Sequence, residues 1–380
     1  MSLLKGITWD HPRGHAPLVA ASRQYEQLHG VRVVWDKRSL KDFGDADLGT
    51  LARAYDLIVM DHPHVGEAAR SGCIRPFDEV ADPEKLAVLQ RQSAGPSYPS
   101  YHYNGCQWAL PLDAACQVSA CRPDMLDPSL IPDSWEQVFA LGARLREEGL
   151  WMGMALCPTD ALCSFLTLSA QRGNPPDGSA EWIQLETTVA VLEALGKLRD
   201  ICHPDSLHWN PIALYDTMAS GDTVVYAPLA FGYINYVQEG FRKHPLAFAG
   251  VPDRKGALLG GAGLAISNRV EDPRIAGDYC LWVCGSGCQS TTYLASGGQP
   301  GNGAAWTLPS DKPQYRSFLN PTRESMEQAY VRPRFAGWPA FQEELGNRVH
   351  AFLQADDDPV CVHHDLESLY MEAFVTDEIV

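Results

Sequence analysis

Short apolar runs typical of buried strands alternate with helically spaced apolar positions over the first third of the chain. The strand patterns lie at 5–10, 31–35 and 55–61, and the helical patterns lie at 17–29 and 45–54. Pro17 is expected to open the first helix and Gly30 to end it, so that residues 11–16 form the connecting loop. This order of elements predicts an α/β fold with a mainly parallel sheet.

Helical patterns dominate the rest of the chain. An extended segment at 107–113 leads into it, and Ser134 or Asp133 is expected to cap the helix that follows. The other predicted elements are helices at 63–72, 161–172, 186–201, 215–220 and 273–284, a strand at 223–228, a loop that becomes a strand over 260–267, and a mainly helical segment at 311–380.

The tripeptide Asp-His-Pro occurs at the ends of two predicted strands. Asp10 and His11 follow the first strand, and Asp61 and His62 follow the third. Ligands of open α/β sheets bind at the carboxyl ends of the strands, so two such ends can converge on one ligand. The repeat therefore predicts one wall of a binding site.

Composition limits the classes of partner. The chain has 380 residues and a mass of 41.8 kDa, which favours about two or three domains. Its formal net charge of −17 and pI near 5.1 disfavour nucleic acid and anionic membrane surfaces as partners. No stretch approaches the roughly 18 apolar residues of a spanning helix, so direct membrane insertion is not expected. A small-molecule ligand fits these limits.

The cysteines predict free thiols. There are eleven, an odd number, and no CxxC motif occurs among them. Cys280, Cys284 and Cys288 recur every fourth residue and are expected to pack along one helix face, in preference to binding metal or undergoing redox chemistry.

No motif for catalysis or nucleotide binding is present. The chain lacks GxSxG, HExxH and P-loop patterns, and the glycines at 260–263 precede a strand rather than open a helix. No catalytic residue, cofactor or metal is predicted, which disfavours an enzyme.

Several short motifs follow one another in a recognisable order. They are Asp56-Leu57-Ile58-Val59, Gly72 to Asp78, Tyr103 to Asp113, Pro132 to Glu136, Met218 to Asp222, Gly260 to Ser267 and a helix ending at Gly287-Cys288-Gln289. In this order they resemble the extracellular solute-binding proteins of ABC importers, family 1, the maltose-binding type.

The resemblance implies a two-lobed, type II periplasmic-binding-protein fold with discontinuous lobes. One lobe would hold 1–112 and 259–310, and the other 113–258 and 311–380. It also implies a monomer that captures a sugar or small organic acid in an inter-lobe cleft by hinge closure and delivers it to ABC permease subunits. Since the chain enters its first strand without a signal peptide, it is expected to be periplasmic if one was removed and cytoplasmic otherwise.

Candidate ligand-binding residues combine the two strand ends with polar, aromatic and glycine positions elsewhere. Arginine offers a fork for carboxylates, aromatic rings offer faces for sugars, and glycine allows close backbone approach. The candidates are Trp9, Asp10, His11, Arg13, Asp61, His62, Asp113, Tyr226, Tyr233, Gly261, Trp306 and Arg332.

Two alternatives remain open for the repeated tripeptide. Asp10, His11, Asp61 and His62 could instead bind zinc or iron in a cytoplasmic metal- or metabolite-dependent enzyme. They could also have structural roles, with the aspartates capping loops or helices and the histidines held extended by the prolines that follow them.

Overall fold

The computed structural model describes residues 2–40, 47–307, 313–355 and 357–378. The chain divides into two compact units. Unit 1 comprises Met1–Ala115, Tyr233–Asn235 and Gly260–Arg316, and unit 2 comprises Cys116–Gly232, Tyr236–Leu259 and Ser317–Val380. The predicted domain division stays a prediction, and the sequence pattern gives no sign that Tyr233–Asn235 packs with unit 1.

Of the strands in the described residues, five have seven residues or more, and the longest has twelve. The other six have two to four residues. They are β1 (Leu3–Trp9), β2 (Arg32–Arg38), β3 (Leu57–Met60), β4 (Ile74–Arg75), β5 (His102–Tyr103), β6 (Cys106–Gln107), β7 (Leu110–Cys121), β8 (Trp151–Met152), β9 (Val224–Phe231), β10 (Ala247–Ala249) and β11 (Leu259–Ser267).

The α-helices of the same residues are α1 (Pro12–His29), α2 (Leu48–Ala54), α3 (Val65–Ser71), α4 (Pro83–Arg91), α5 (Ser97–Ser100), α6 (Trp135–Glu147), α7 (Pro158–Gln171), α8 (Leu185–Ile201), α9 (Pro211–Ser220), α10 (Pro273–Cys284), α11 (Ser286–Cys288), α12 (Ala304–Thr307), α13 (Pro313–Glu327), α14 (Trp338–Ala355) and α15 (Pro359–Glu378). A π-helical turn lies at Gln289–Tyr293, and 3-10 turns lie at His62–His64, Phe77–Glu79, Pro128–Leu130, Pro204–His208 and Ile234–Val237.

Unit 1 contains a mixed sheet whose core is parallel, as the sequence predicts. β1 pairs in parallel with both β2 and β3, and β11 runs antiparallel to β3 and β4. The carboxyl ends of β1, β2 and β3 therefore lie along one edge of this sheet.

The first helix begins earlier than its apolar pattern suggests. The sequence predicts a loop over residues 11–16 and a start at Pro17, but α1 begins at Pro12. The reason is a cap: the His11 Nδ1 accepts a hydrogen bond from the Arg13 backbone N–H at 3.1 Å, and Pro12 occupies the first turn, where its missing N–H costs nothing. Pro17 lies inside the helix, and Gly30 ends it in a left-handed conformation, as predicted.

A hydrogen-bonded aromatic group holds α1 against the sheet of unit 1. The Trp35 ring of β2 lies so close to Gly6 of β1 that a Cβ there would overlap the ring. Its indole N–H donates to Ser22 Oγ at 2.9 Å, and that oxygen lies 2.9 Å from the Tyr279 hydroxyl of α10. Buried polar groups with partners of this kind fix the depth and orientation of the helices.

Unit 2 is built from a smaller sheet and several long helices. β9 pairs in parallel with β8 and antiparallel with β7, which in turn pairs with β10. Of the two predicted caps, Ser134 and Asp133, it is Ser134 that caps α6. α7 packs against α14, where Gly346 is needed because a Cβ would lie 2.7 Å from the Pro158 carbonyl oxygen.

All eleven cysteines are free thiols, which confirms the prediction for them. Cys280, Cys284 and Cys288 are buried in the core of unit 1 beside Tyr279 and Val283. Burial raises the pKa of each of these thiols, that of Cys288 to about 12. They therefore pack as small apolar groups.

Thiol accessibility tests this core directly. We expect Cys361, the one exposed cysteine of the described residues, to react first with a disulfide reagent such as DTNB, and Cys361→Ser to remove that fast phase. The seven buried thiols should react only after unfolding in guanidinium chloride. Rapid reaction of more than three thiols in the folded Cys361→Ser variant would contradict the packing described above, because only Cys73, Cys106 and Cys157 are then partly exposed.

Candidate functional site

The two Asp-His-Pro sequences lie at the same edge of the sheet in unit 1. In the parallel pairing of β1 with β3, Ile7 lies opposite Ile58. Asp10 and Asp61 each come three residues later in the chain. The expectation that the two strand ends meet at one edge is therefore confirmed, whereas ligand binding by these residues stays a prediction.

Asp10 is the most exposed of the four predicted residues at this edge. Its carboxylate accepts a hydrogen bond from the Lys37 ammonium of β2 at 2.7 Å. That bond and the nearby positive charges lower the pKa of Asp10. Asp10 and Lys37 therefore present a carboxylate and an ammonium group together at the surface. Lys37 is not among the site residues predicted from the sequence.

Asp61 and His62 have a mixed structural and surface role. The Asp61 carboxylate caps the turn that follows β3 by accepting the His62 backbone N–H at 2.8 Å, and it also lies 3.1 Å from His62 Nδ1. The His62 ring is fully buried and meets the Tyr101 ring edge-on. About a fifth of the Asp61 side chain remains accessible, so it can reach solvent where His62 cannot.

The metal alternative is not supported by the geometry at this edge. Among the described residues, one group of three or more His, Cys, Asp or Glu side chains is close enough to share a metal ion, and it lies elsewhere, at His363, His364 and Glu367. Asp10, His11, Asp61 and His62 form no such group because His11 and Asp61 serve as caps and Asp10 turns to Lys37.

A buried ion pair lies directly beneath the exposed edge. Arg13, in the first turn of α1, donates from Nε to Asp113 Oδ2 at 2.8 Å and from its terminal nitrogen to Asp113 Oδ1. Both side chains are almost entirely buried. Burial disfavours the charged guanidinium, but attraction to the Asp113 carboxylate outweighs this effect and raises the pKa of Arg13. Arg13 and Asp113, which the sequence predicts to bind the ligand, therefore bind each other.

Tyr233 completes this buried group. Its ring lies over the Arg13 guanidinium, with 4.5 Å between the ring centroid and Cζ, and meets the His11 ring edge-on at 5.0 Å. Gln299 holds the same segment, because its side-chain oxygen accepts the Ile234 N–H at 3.1 Å and its amide donates to the Ala114 carbonyl at 2.8 Å. The apolar pattern gave no signal for Gln299.

Gly261 is required by the protein backbone around it. Its φ of 100° lies in the region that favours glycine, and a Cβ would overlap the Asp113 carbonyl oxygen. The sequence predicts that glycines here allow close approach to a ligand, but the close approach observed at Gly261 is to β7.

Several other predicted ligand residues belong to the interior of their units. Trp9 packs flat against Gly14 in the core of unit 1, and the Trp306 indole N–H donates to the Pro300 carbonyl at 2.9 Å. Tyr226 is fully buried on β9 between β7 and β8. Arg332 is buried too, and donates to Gln342 at 3.1 Å. Their aromatic or cationic character suggested a ligand, but here it contributes to packing and internal hydrogen bonds.

One carboxyl group in unit 2 has an unusual environment. Beyond β8 the chain enters α7, whose first turn carries Asp160. This carboxyl is buried and accepts a hydrogen bond from the Cys157 thiol at 3.1 Å. Burial raises the pKa of Asp160 to about 7, although the bond from Cys157 opposes the shift. Asp160 is not among the site residues predicted from the sequence.

An apolar groove of about 410 Å³ also opens on unit 1, away from the strand ends. Apolar side chains such as Leu28, Val88 and Trp282 line it together with two amides, one hydroxyl and the ammonium of Lys85. Leu28 lies fifteen residues after Arg13 on α1, a separation of roughly 22 Å along a helix. The groove therefore does not share the charged groups of the strand ends.

Comparison with known proteins gives a family and a fold. A family model described as bacterial extracellular solute-binding protein matches residues 20–312, more than half of the chain. A search of curated proteins finds no match.

Solved structures match over nearly the whole chain. A solute-binding protein from Agrobacterium radiobacter K84 in complex with ribitol is 16% identical, with 98% of each chain covered and a TM-score of 0.78. One from Thermotoga lettingae TMO bound with α-D-tagatose is 15% identical, with 98% of this chain and 100% of that chain covered and a TM-score of 0.81. The GacH receptor of Streptomyces glaucescens GLA.O is 16% identical, with 99% of each chain covered and a TM-score of 0.80. The two-lobed α/β fold class predicted from the sequence is confirmed.

Removal of one partner from the buried ion pair should strongly destabilise the protein. We expect Arg13→Met to lower the free energy of unfolding by about 3–5 kcal/mol, because the Asp113 carboxylate would remain buried without its counterion. Urea unfolding measures this, with Arg91→Met on exposed α4 as the control. The double variant Arg13→Met with Asp113→Leu should lose less than the sum of the two single variants. Additive losses would contradict a coupled pair.

The pKa of Asp160 predicts a pH-dependent stability. The folded protein binds the Asp160 proton more tightly than the unfolded chain, where the pKa is near 3.8. The free energy of unfolding should therefore fall as pH rises from about 4 to about 7, by at most about 1.4 kcal/mol per pH unit. Urea unfolding between pH 5 and 8 should show a smaller fall for Asp160→Asn, but not for the exposed control Asp278→Asn. Equal slopes in wild type and Asp160→Asn would refute this assignment.

Proposed function

The chain belongs to the bacterial extracellular solute-binding proteins, and on this premise we propose that it captures a sugar or polyol for import by an ABC transporter. The family is one of binding proteins, and we propose that this chain binds its solute without converting it. None of the helices in the described ranges is both long and apolar enough to span a membrane. ABC permease subunits as partners, an extracytoplasmic site of action and a monomeric state are parts of the same proposal.

The observation that supports a solute site most directly is the polar edge of the sheet in unit 1. There the register of β1 and β3 brings Asp10 and Asp61 to one edge, and Lys37 joins them from β2. Carboxylates accept and the ammonium donates hydrogen bonds, which suits the hydroxyl groups of a sugar or polyol because each can do both.

The charges at this edge favour a neutral solute over an organic acid. The edge carries two carboxylates, Asp10 and Asp61, and one lysine, and the net charge of the chain is −17. A carboxylate ligand would meet repulsion at such a surface, whereas hydroxyl groups would not. The bound ligands of two structurally similar proteins, ribitol and α-D-tagatose, support the same class.

The buried residues beneath the edge are proposed to position the contact residues. His11 caps α1, and Arg13 with Asp113 fixes the first turn of that helix relative to β7. Groups held by buried hydrogen bonds keep a binding surface in one arrangement and reduce the entropy lost on binding. On this proposal Asp10, Lys37 and Asp61 touch the solute, while His11, His62, Arg13, Asp113 and Tyr233 support them. The predicted hinge closure stays a prediction.

A thermal-shift screen tests the proposed ligand class. Sugars, polyols and organic acids would be added separately in the presence of EDTA, and only sugars or polyols should raise the melting temperature. A native-state ligand at a hundredfold excess over its Kd adds about 2.7 kcal/mol of stability. Consumption of the compound by the purified protein, or stabilisation by organic acids alone, would contradict the proposal.

Calorimetric titration of the best compound then tests the named residues. Asp10→Asn and Asp61→Asn should each weaken binding at least about tenfold, since each removes a hydrogen bond to a charged group. Asp36→Asn is the matched control, because Asp36 precedes Lys37 on β2 and points to the opposite face of the sheet. Unchanged affinity in both edge variants would place the solute elsewhere.

A further inference from the structure

We propose that unit 2 carries a divalent metal site, of the zinc class, formed by His363, His364 and Glu367 on α15. Among the side chains of the described residues, these three are the group whose potential ligand atoms lie close enough for one ion, all within 4.8 Å of one another. The proposed solute site is on unit 1 and shares none of these residues.

The chemistry of the three groups selects a particular kind of ion. Two imidazoles and one carboxylate are a ligand set typical of Zn²⁺ and other late first-row metals, whereas Ca²⁺ and Mg²⁺ prefer oxygen ligands alone. His364 and Glu367 are three residues apart on a helix, a spacing that puts both side chains on one face. Their nearest ligand atoms, His364 Nδ1 and Glu367 Oε2, are 3.8 Å apart.

A contact with α8 holds the His363 ring in place. The ring is buried, and Nδ1 lies 3.1 Å from the Thr188 hydroxyl of α8. When Nδ1 donates its proton to the Thr188 hydroxyl, Nε2 is the nitrogen that keeps a lone pair for an ion. A second hydrogen bond of this kind, on the ring nitrogen that does not bind metal, is a regular feature of metal-binding histidines.

The remaining two ligands can move to complete the site. Tetrahedral zinc with bonds of about 2.0–2.1 Å holds its ligand atoms about 3.3 Å apart, which is shorter than the present spacing. His364 and Glu367 are both more than half exposed, so rotation of their side chains can close this difference at little cost. One buried histidine and two exposed side chains that can rotate are therefore enough to bind the ion.

Bound metal would link two helices of unit 2. His363 already joins α15 to α8 through Thr188, and Glu186 in the first turn of α8 is close enough to interact electrostatically with His363. Water or Glu186 could occupy the fourth position. A metal held by α15 and steadied by α8 stabilises the C-terminal helix, because an ion that binds only the folded chain adds to its stability.

The test is a titration of EDTA-stripped, full-length protein with ZnCl₂, followed by calorimetry and by melting temperature. We expect one zinc ion per chain, a rise in melting temperature, and a loss of affinity of at least about tenfold in His364→Ala and in Glu367→Gln. Both residues are exposed, so these variants should fold. His208→Ala removes an exposed histidine of unit 2 outside the cluster and is the matched control.

A spectroscopic measurement separates a built site from loose surface binding. Co²⁺ added to the stripped protein should give visible absorption of a tetrahedral ion in wild type and in His208→Ala, but not in His364→Ala. Equal zinc affinity in wild type and His364→Ala, or loss of binding in His208→Ala, would overturn the proposal. Sugar binding that persists in EDTA would leave the proposed function intact in either case.

Discussion

The buried pair of Arg13 and Asp113 is the interaction on which the arrangement of unit 1 depends. It joins the first turn of α1 to β7, across one hundred residues of sequence. Tyr233 covers the guanidinium, and Gly261 allows β11 to approach the Asp113 backbone. Two charges can remain buried only if each is satisfied by the other, so this contact permits very little displacement of the helix relative to the sheet.

This constraint explains why the exposed edge and the buried layer differ in role. The edge carries accessible polar groups at Asp10 and Asp61, while the layer beneath it has little solvent access at His11, Arg13 and Asp113. The accessible groups are those proposed to touch the solute, and the buried groups are those proposed to support them. Most thiols of this chain are also buried. Burial protects them from the oxidants to which an extracellular family is exposed.

Sequence patterns were sufficient for most elements and for the position of the edge. The helical spacing of apolar residues and the capping residues predicted the positions of helices such as α6 and α10. Two strands that end in the same tripeptide were enough to predict that Asp10 and Asp61 lie at one edge. The start of α1 was missed because a histidine cap before Pro12 is a weaker signal than the apolar run after Pro17. Pairing of Arg13 with Asp113 could not be predicted, because local patterns carry no information about contacts between distant segments. Tyr233 joins unit 1 through a segment of three residues, too short to produce a pattern of its own.

Hydrogen–deuterium exchange with and without the tightest-binding sugar or polyol tests most directly the claim that the sheet edge of unit 1 receives the solute. If the edge receives the solute, the ligand protects the backbone at 10–15, 36–39 and 60–65, which contain the strand ends and the first turn of α1. Protection confined to 24–28, 85–92 and 281–288, around the apolar groove, with no change at the strand ends, would contradict it.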